Sequence, residues 1–279
     1  MQVESATAPS LTRQQRREAT GEQVQNLFNE ILTQAGQAGY ASAEAYDSEN
    51  TVETDIQQTW DDWFSVSDTG NHPEGVHSEE LKTGYGQILV RAYEEGGYAD
   101  PKGFLNSLSD EDMEIVQHVN RLAGPIDTNA ITEEGALNLL VPQPAQVDAN
   151  NDGLTQVGAA NLIRFPDSRT PDAVVDAWNE TTADMSPRDK MMYQLQMKLS
   201  VMTANIIVDD YGQFVRQREP GDPDWVNPMA AKDFSYQDLA QQFLDYLDYF
   251  KNQIPKDKYE KDTAFWTDFK QTLAEHGAK

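Results

Sequence analysis

The sequence predicts an all-α fold, an irregular array of about nine helices with a long central loop. Three observations lead there. Apolar residues recur at helical spacing along most of the chain, strand-like alternation is scarce, and the periodic runs begin at capping residues and end at Gly or Pro.

Taken in order, residues 11–35 place Val24, Leu27, Phe28, Ile31 and Leu32 on one helical face. Residues 52–64 do the same with Ile56, Trp60, Trp63 and Phe64. Residues 78–95 align Leu81, Tyr85, Ile88, Leu89 and Ala92 and stop at Gly96-Gly97, which suits a C-terminal cap. Gly84 and Gly86 fall inside that run and mark close helix contacts, since Gly otherwise weakens a helix. Ser109 and Asp112 form an Asp variant of the capping box for residues 110–123. A shorter helix follows Thr132. Thr170-Pro171 and Ser186-Pro187 each open a helix with Pro at the first helical position. The second carries an apolar stripe of Met191, Leu195, Leu199, Met202 and Ile206, so Val201 to Val208 reads as helix. Ser235 caps a helix with Leu239, Phe243, Leu247 and Phe250, and Pro255 separates it from a last one with Tyr259, Trp266, Phe269 and Leu273. Trp60, Trp63, Leu89, Val116, Trp178, Leu195, Phe243 and Trp266 are the expected core. One continuous domain over residues 1–279 is expected, with a weak boundary within 143–169 and disorder over 1–10.

Composition narrows the function. The net charge is −26, and residues 41–80 hold eleven Asp or Glu with no Lys or Arg. Such a surface repels phosphates and attracts cations or a basic protein, so no nucleic-acid partner is expected. The chain has no cysteine, which excludes disulfides, thiolate zinc sites and cysteine nucleophiles. No apolar run reaches the length of a membrane span, so none is expected. The polar opening resembles the start of a mature exported protein and favours a periplasmic or extracellular location over the cytoplasm.

One segment carries distinct chemistry. In residues 147–156, Asp148, Asn150 and Asp152 alternate and Gly153 follows. Calcium seeks six to eight oxygens, and alternating Asp and Asn in a tight turn aim theirs at one centre. Gly at the sixth place permits the sharp backbone turn. The expected Ca²⁺ ligands are Asp148, Asn150, Asp152, the Leu154 carbonyl and Gln156. The ion-free alternative is an Asx-rich turn.

These residues resemble the calcium loop of the EF-hand family, and equally the loops of dockerins and integrin-type propeller repeats. The likeness spans about ten residues and is a likeness of the loop alone. An EF-hand has a bidentate acid at the twelfth place, where this chain has Ala159. A propeller-type loop has Asp at the ninth, where this chain has Gln156. A closing carboxylate would come from elsewhere, for example Glu133, Glu134 or Asp167.

Other signals are weaker. His72 and His77 flank Glu74, but their spacing of five does not suit a helical zinc site. Trp60-Asp61-Asp62-Trp63 joins aromatics to paired acids, as glycan-cleaving sites do, yet adjacent residues on a helix diverge by about 100°. Met191, Met192, Met197 and Met202 read as core, with an adaptable binding groove as the alternative. The expectation is a non-enzymatic calcium-binding structural or protein-interaction protein with an acidic surface. The alternatives are a hydrolase using carboxylates of residues 44–80 and an acidic mimic of nucleic-acid charge that binds a basic protein. A histidine gathered with Asp61 or Glu74 in a cleft would favour the hydrolase.

Overall fold

Local signals set most helix starts in the computed structural model, which describes residues 11–279. The described residues are 54% helical, with eleven α-helices, and 5% strand. The chain divides into two compact units. Of the described residues, one unit comprises 11–37 together with Ala43–Gln146, and the other comprises Ala38–Ser42 with Val147–Lys279. The expectation of disorder over 1–10 lies outside the described residues.

The first unit holds α1 (Arg13–Gln34), α2 (Val52–Ser67), α3 (Ser78–Glu94), α4 (Pro101–Ser107), α5 (Asp110–Val119), α6 (Glu133–Leu137) and a 3-10 turn at Gln143–Ala145. Side chains of Thr12, Thr51, Asp100, Ser109 and Thr132 accept from N3 amides and so start five of these helices. At Ser109 the box is not reciprocal, because the Asp112 carboxylate accepts from Arg91 at 2.9 Å. The α4 helix was not expected from periodicity; it is one short capped segment with Pro101 in its first turn. Helix α2 packs against both α1 and α3. The Trp60 ring lies 4.8 Å from Tyr85 and 5.0 Å from Phe64, and its indole donates to the Lys82 carbonyl at 2.7 Å. The two glycines of α3 are contact residues. A Cβ on Gly84 would stand 2.5 Å from the Ile115 side chain, and one on Gly86 would overlap that of Gln57.

The second unit holds the antiparallel pair β1 (Thr155–Val157) and β2 (Ala160–Leu162), then α7 (Asp172–Thr182), α8 (Pro187–Met197) and α9 (Leu199–Thr203). A hairpin of β3 (Ile206–Val208) and β4 (Phe214–Gln217) follows, then a 3-10 turn at Pro228–Ala230, α10 (Tyr236–Phe250) and α11 (Lys256–Glu275). Helix α11 packs on α7 and α10 around an aromatic core. Trp266 stacks on Phe243 at 4.1 Å, and Phe265 on Tyr193 at 3.6 Å. Trp178 meets the edges of Phe265 and Phe269.

Three sequence expectations need correction here. Pro171 is the N-cap of α7, with Asp172 the first helical residue. The all-α expectation misses four short strands, and residues 206–208 are strand β3 where helix was expected. The stripe of Met191, Leu195, Leu199 and Ile206 is exposed, while Tyr193, Met197 and Val201 are buried. Both sets fit helical spacing, so spacing alone does not choose between them. Stacking of Tyr193 on Phe265 and its 2.9 Å bond to buried Asp262 decide which face turns inward. Of the expected core, only Leu195 is exposed, at 40%; Phe243 is partly buried, and the other six are buried.

Candidate functional site

The segment from Val147 to Val157 enters as an irregular turn and leaves as β1. Asn151 has φ 59° and Gly153 has φ 89°. The left-handed region is open to Gly, and Asn tolerates it better than most residues. Space also demands Gly at 153, since an added Cβ would lie 3.0 Å from Asn227 and Val201 side chains.

The structure brings Asp148, Asn150 and Asp152 together around the backbone amides of the turn. Asp148 Oδ1 and Asn150 Oδ1 both accept from the Asp152 N–H, at 3.1 and 2.8 Å. Asp148 Oδ2 accepts from the Gly153 N–H at 2.9 Å, and Asp152 Oδ1 from the Leu154 N–H at 2.8 Å. Asn150 Nδ2 donates to Asp152 Oδ2 at 3.1 Å. Asp148 is 1% exposed. Burial pushes its carboxyl up to about 6; the charges of Asp152 and Asp167 add to this, while the Gly153 amide and the Lys198 ammonium oppose it.

The carbonyl side of the same peptides is also occupied. Asn227 Nδ2 donates to the Asn151 carbonyl at 3.0 Å, Trp225 Nε1 to the Asp152 carbonyl at 2.9 Å, and Lys198 Nζ to the Gly153 carbonyl at 3.1 Å. Three consecutive peptide groups are therefore each held between a side-chain donor on the carbonyl and a side-chain oxygen on the amide. Arg169 holds the preceding carbonyls, Nε on Asp148 at 2.8 Å and a terminal nitrogen on Ala149 at 2.7 Å. Such chains polarise one another, so the turn is stiffer than its isolated bonds imply.

The remaining expected site residues fall differently. Gln156 is central in β1, paired with Asn161, with its side chain on the face opposite Thr155 and Val157. Leu154 is buried. Asp167 is buried, but it pairs with the Lys198 ammonium and also accepts from Thr170 Oγ1 at 2.8 Å. Glu133 pairs with Lys102 in its own unit at 3.8 Å. Among the described residues no group of three or more His, Asp or Glu side chains is arranged to hold a metal ion.

Sequence reasoning missed Lys198, Arg169, Trp225 and Asn227. Only the prolines around Trp225 hinted at a fixed, non-helical segment there, and nothing local pointed to Lys198.

The weaker candidates resolve into ordinary structure. His72 Nε2 lies 3.0 Å from Asp68, and His77 is the N-cap of α3 without a side-chain cap bond. Burial pushes the Asp68 carboxyl up, but donors from Ser78, Gly70 and His72 outweigh it and hold the group below the usual range. Trp60 and Trp63 are core, while Asp61 and Asp62 line an open depression with Glu53, Gln57 and Gln58, and no histidine lines it. No helix among the described residues is long and apolar enough to cross a membrane. No family model, curated protein or solved structure matches the chain.

Proposed function

We propose that this chain is a non-enzymatic structural or protein-interaction protein that takes one Ca²⁺ at the Asp148 loop. The observation that carries this reading is the gathering of Asp148, Asn150 and Asp152 oxygens around three successive backbone amides, with Gly153 in the left-handed region. These are hard oxygen donors of the kind Ca²⁺ takes, and Asp148 and Asp152 bring two negative charges. The Leu154 carbonyl and Gln156 complete the proposed set. Two carboxylates without a bidentate acid suit weak binding, roughly 10⁻⁴–10⁻³ M, as in extracellular modules. The ion then serves the fold in a calcium-rich compartment, and the surface charge of −26 serves a basic partner.

A second reading is an ion-free turn. Its support is the set of four side chains that already hold the loop's carbonyls. Titration calorimetry with CaCl₂ separates the two. Heat fitting one site, absent in Asp148→Asn/Asp152→Asn, is the expected result. No heat in the wild type would remove the ion.

A further inference from the structure

Lys198 is 1% exposed, one of the largest fully buried side chains in the chain. Lysine is almost never buried so completely unless paired, because its ammonium loses its hydration. Two partners replace the water, the Asp167 carboxylate and the Gly153 carbonyl. The backbone explains how it arrives there. Helix α8 ends at Met197, Lys198 adopts φ −97° and ψ 1°, and α9 restarts at Leu199. At that break Lys198 lies on the buried side with Met197 and Val201, between the exposed Leu195 and Leu199.

The Gly153 carbonyl belongs to the peptide whose amide, that of Leu154, donates to Asp152 Oδ1 at 2.8 Å. A cation on the oxygen of a peptide group makes its N–H a stronger donor. The Lys198 charge thus reaches Asp152 through one peptide plane. Trp225 and Asn227 do the same for the two preceding planes, but as neutral donors. Of the three clamps, only Lys198 adds positive charge to a turn carrying Asp148 and Asp152.

We infer that Lys198 is the buried cation of this turn, acting on the Gly153 end while Arg169 holds the Asp148 and Ala149 carbonyls, and that it is a positioning residue that keeps the Gly153–Leu154 backbone in shape without requiring a bound metal. The inference concerns the loop proposed above for Ca²⁺ but does not depend on that ion.

The test is amide hydrogen exchange at Asp152, Gly153 and Leu154, measured in chelator and again in about 5 mM CaCl₂, a concentration above the expected dissociation constant. Lys198→Met alone would strand a buried carboxylate, so it is combined with Asp167→Asn. Lys198→Gln/Asp167→Asn keeps a neutral donor one methylene shorter, and Asp167→Asn alone keeps the ammonium with an amide oxygen still able to accept from it. Exchange in chelator should be at least tenfold faster at these amides in both double variants and near the wild-type rate in Asp167→Asn, with amides of α11 unchanged. Wild-type protection in Lys198→Gln/Asp167→Asn would overturn the role, because charge would then be irrelevant. So would equal loss in Asp167→Asn alone. The calcium arm distinguishes the two proposals. Faster exchange in the double variants with no calcium effect in any protein supports Lys198 and removes the ion site. Calcium slowing exchange in a set of proteins that otherwise behave alike keeps the ion site and overturns Lys198.

Discussion

Gly153 is held at both ends of its backbone by residues from opposite directions in the chain, and its relationship with Lys198 is the longer of the two. The Lys198 ammonium donates to the Gly153 carbonyl at 3.1 Å across 45 residues, while the Gly153 amide donates to Asp148 five residues earlier. The short-range bond is written in the loop motif. The long-range one depends on where α8 stops.

Gly153→Ala should be strongly destabilising for its size. The backbone there has φ 89°, and a Cβ meets Asn227 and Val201 at 3.0 Å. The left-handed conformation alone costs roughly 1–2 kcal/mol, and the contact adds to it. A urea midpoint equal to that of the wild type, at unchanged slope, would contradict this geometry.

Calcium at tenfold to a hundredfold above its dissociation constant should stabilise the wild type by about 1.4–2.7 kcal/mol through mass action. Thermal unfolding in CaCl₂ against chelator measures this. Asp148→Asn/Asp152→Asn should melt at one temperature in both. A chelator-independent melting temperature in the wild type would speak for the ion-free turn.

The two faces of α8 should respond to truncation by very different amounts. Met197→Ala empties a fully buried position and should cost about 2–5 kcal/mol, whereas Leu195→Ala, at an exposed position, should cost well under that. Comparable losses from both in chemical denaturation would mean that the helix is rotated from its described face.

His276 supplies the pH prediction. The Glu180 carboxylate 2.9 Å away raises its pKa above 6.5; partial burial works against this, while the Asp176, Glu180 and Glu275 charges add to it. A base whose folded pKa is raised contributes stability that is fully present below the unfolded value. That contribution is lost as pH rises through the folded value. Titration of the imidazole proton resonances should give a midpoint above 6.5 in the wild type and a lower one in Glu180→Gln. Identical midpoints would show that the pair does not form in solution.

Several elements are legible without tertiary information because their causes are local. Ser109, Thr132, Ser186 and Ser235 each accept from an amide three residues on, so the residue type and its neighbours suffice to place a helix start. The same holds within the Asp148 turn, where acceptor and donor lie two to five residues apart. The inward face of α8 was not legible. Its two stripes are both apolar, and the choice rests on Tyr193 meeting Phe265 and Asp262, some seventy residues later.

By itself, then, the sequence determined the helical character, most helix starts and the internal hydrogen bonding of the loop, since each follows from groups within a few residues of one another. Tertiary structure alone decided which apolar stripe is buried and which side chains grip the loop from outside. Arg169, Lys198, Trp225 and Asn227 lie 20 to 76 positions from the carbonyls they hold. A donor that far away carries no local signature. Its role exists only after the chain has closed the intervening loop and brought the donor to the carbonyl.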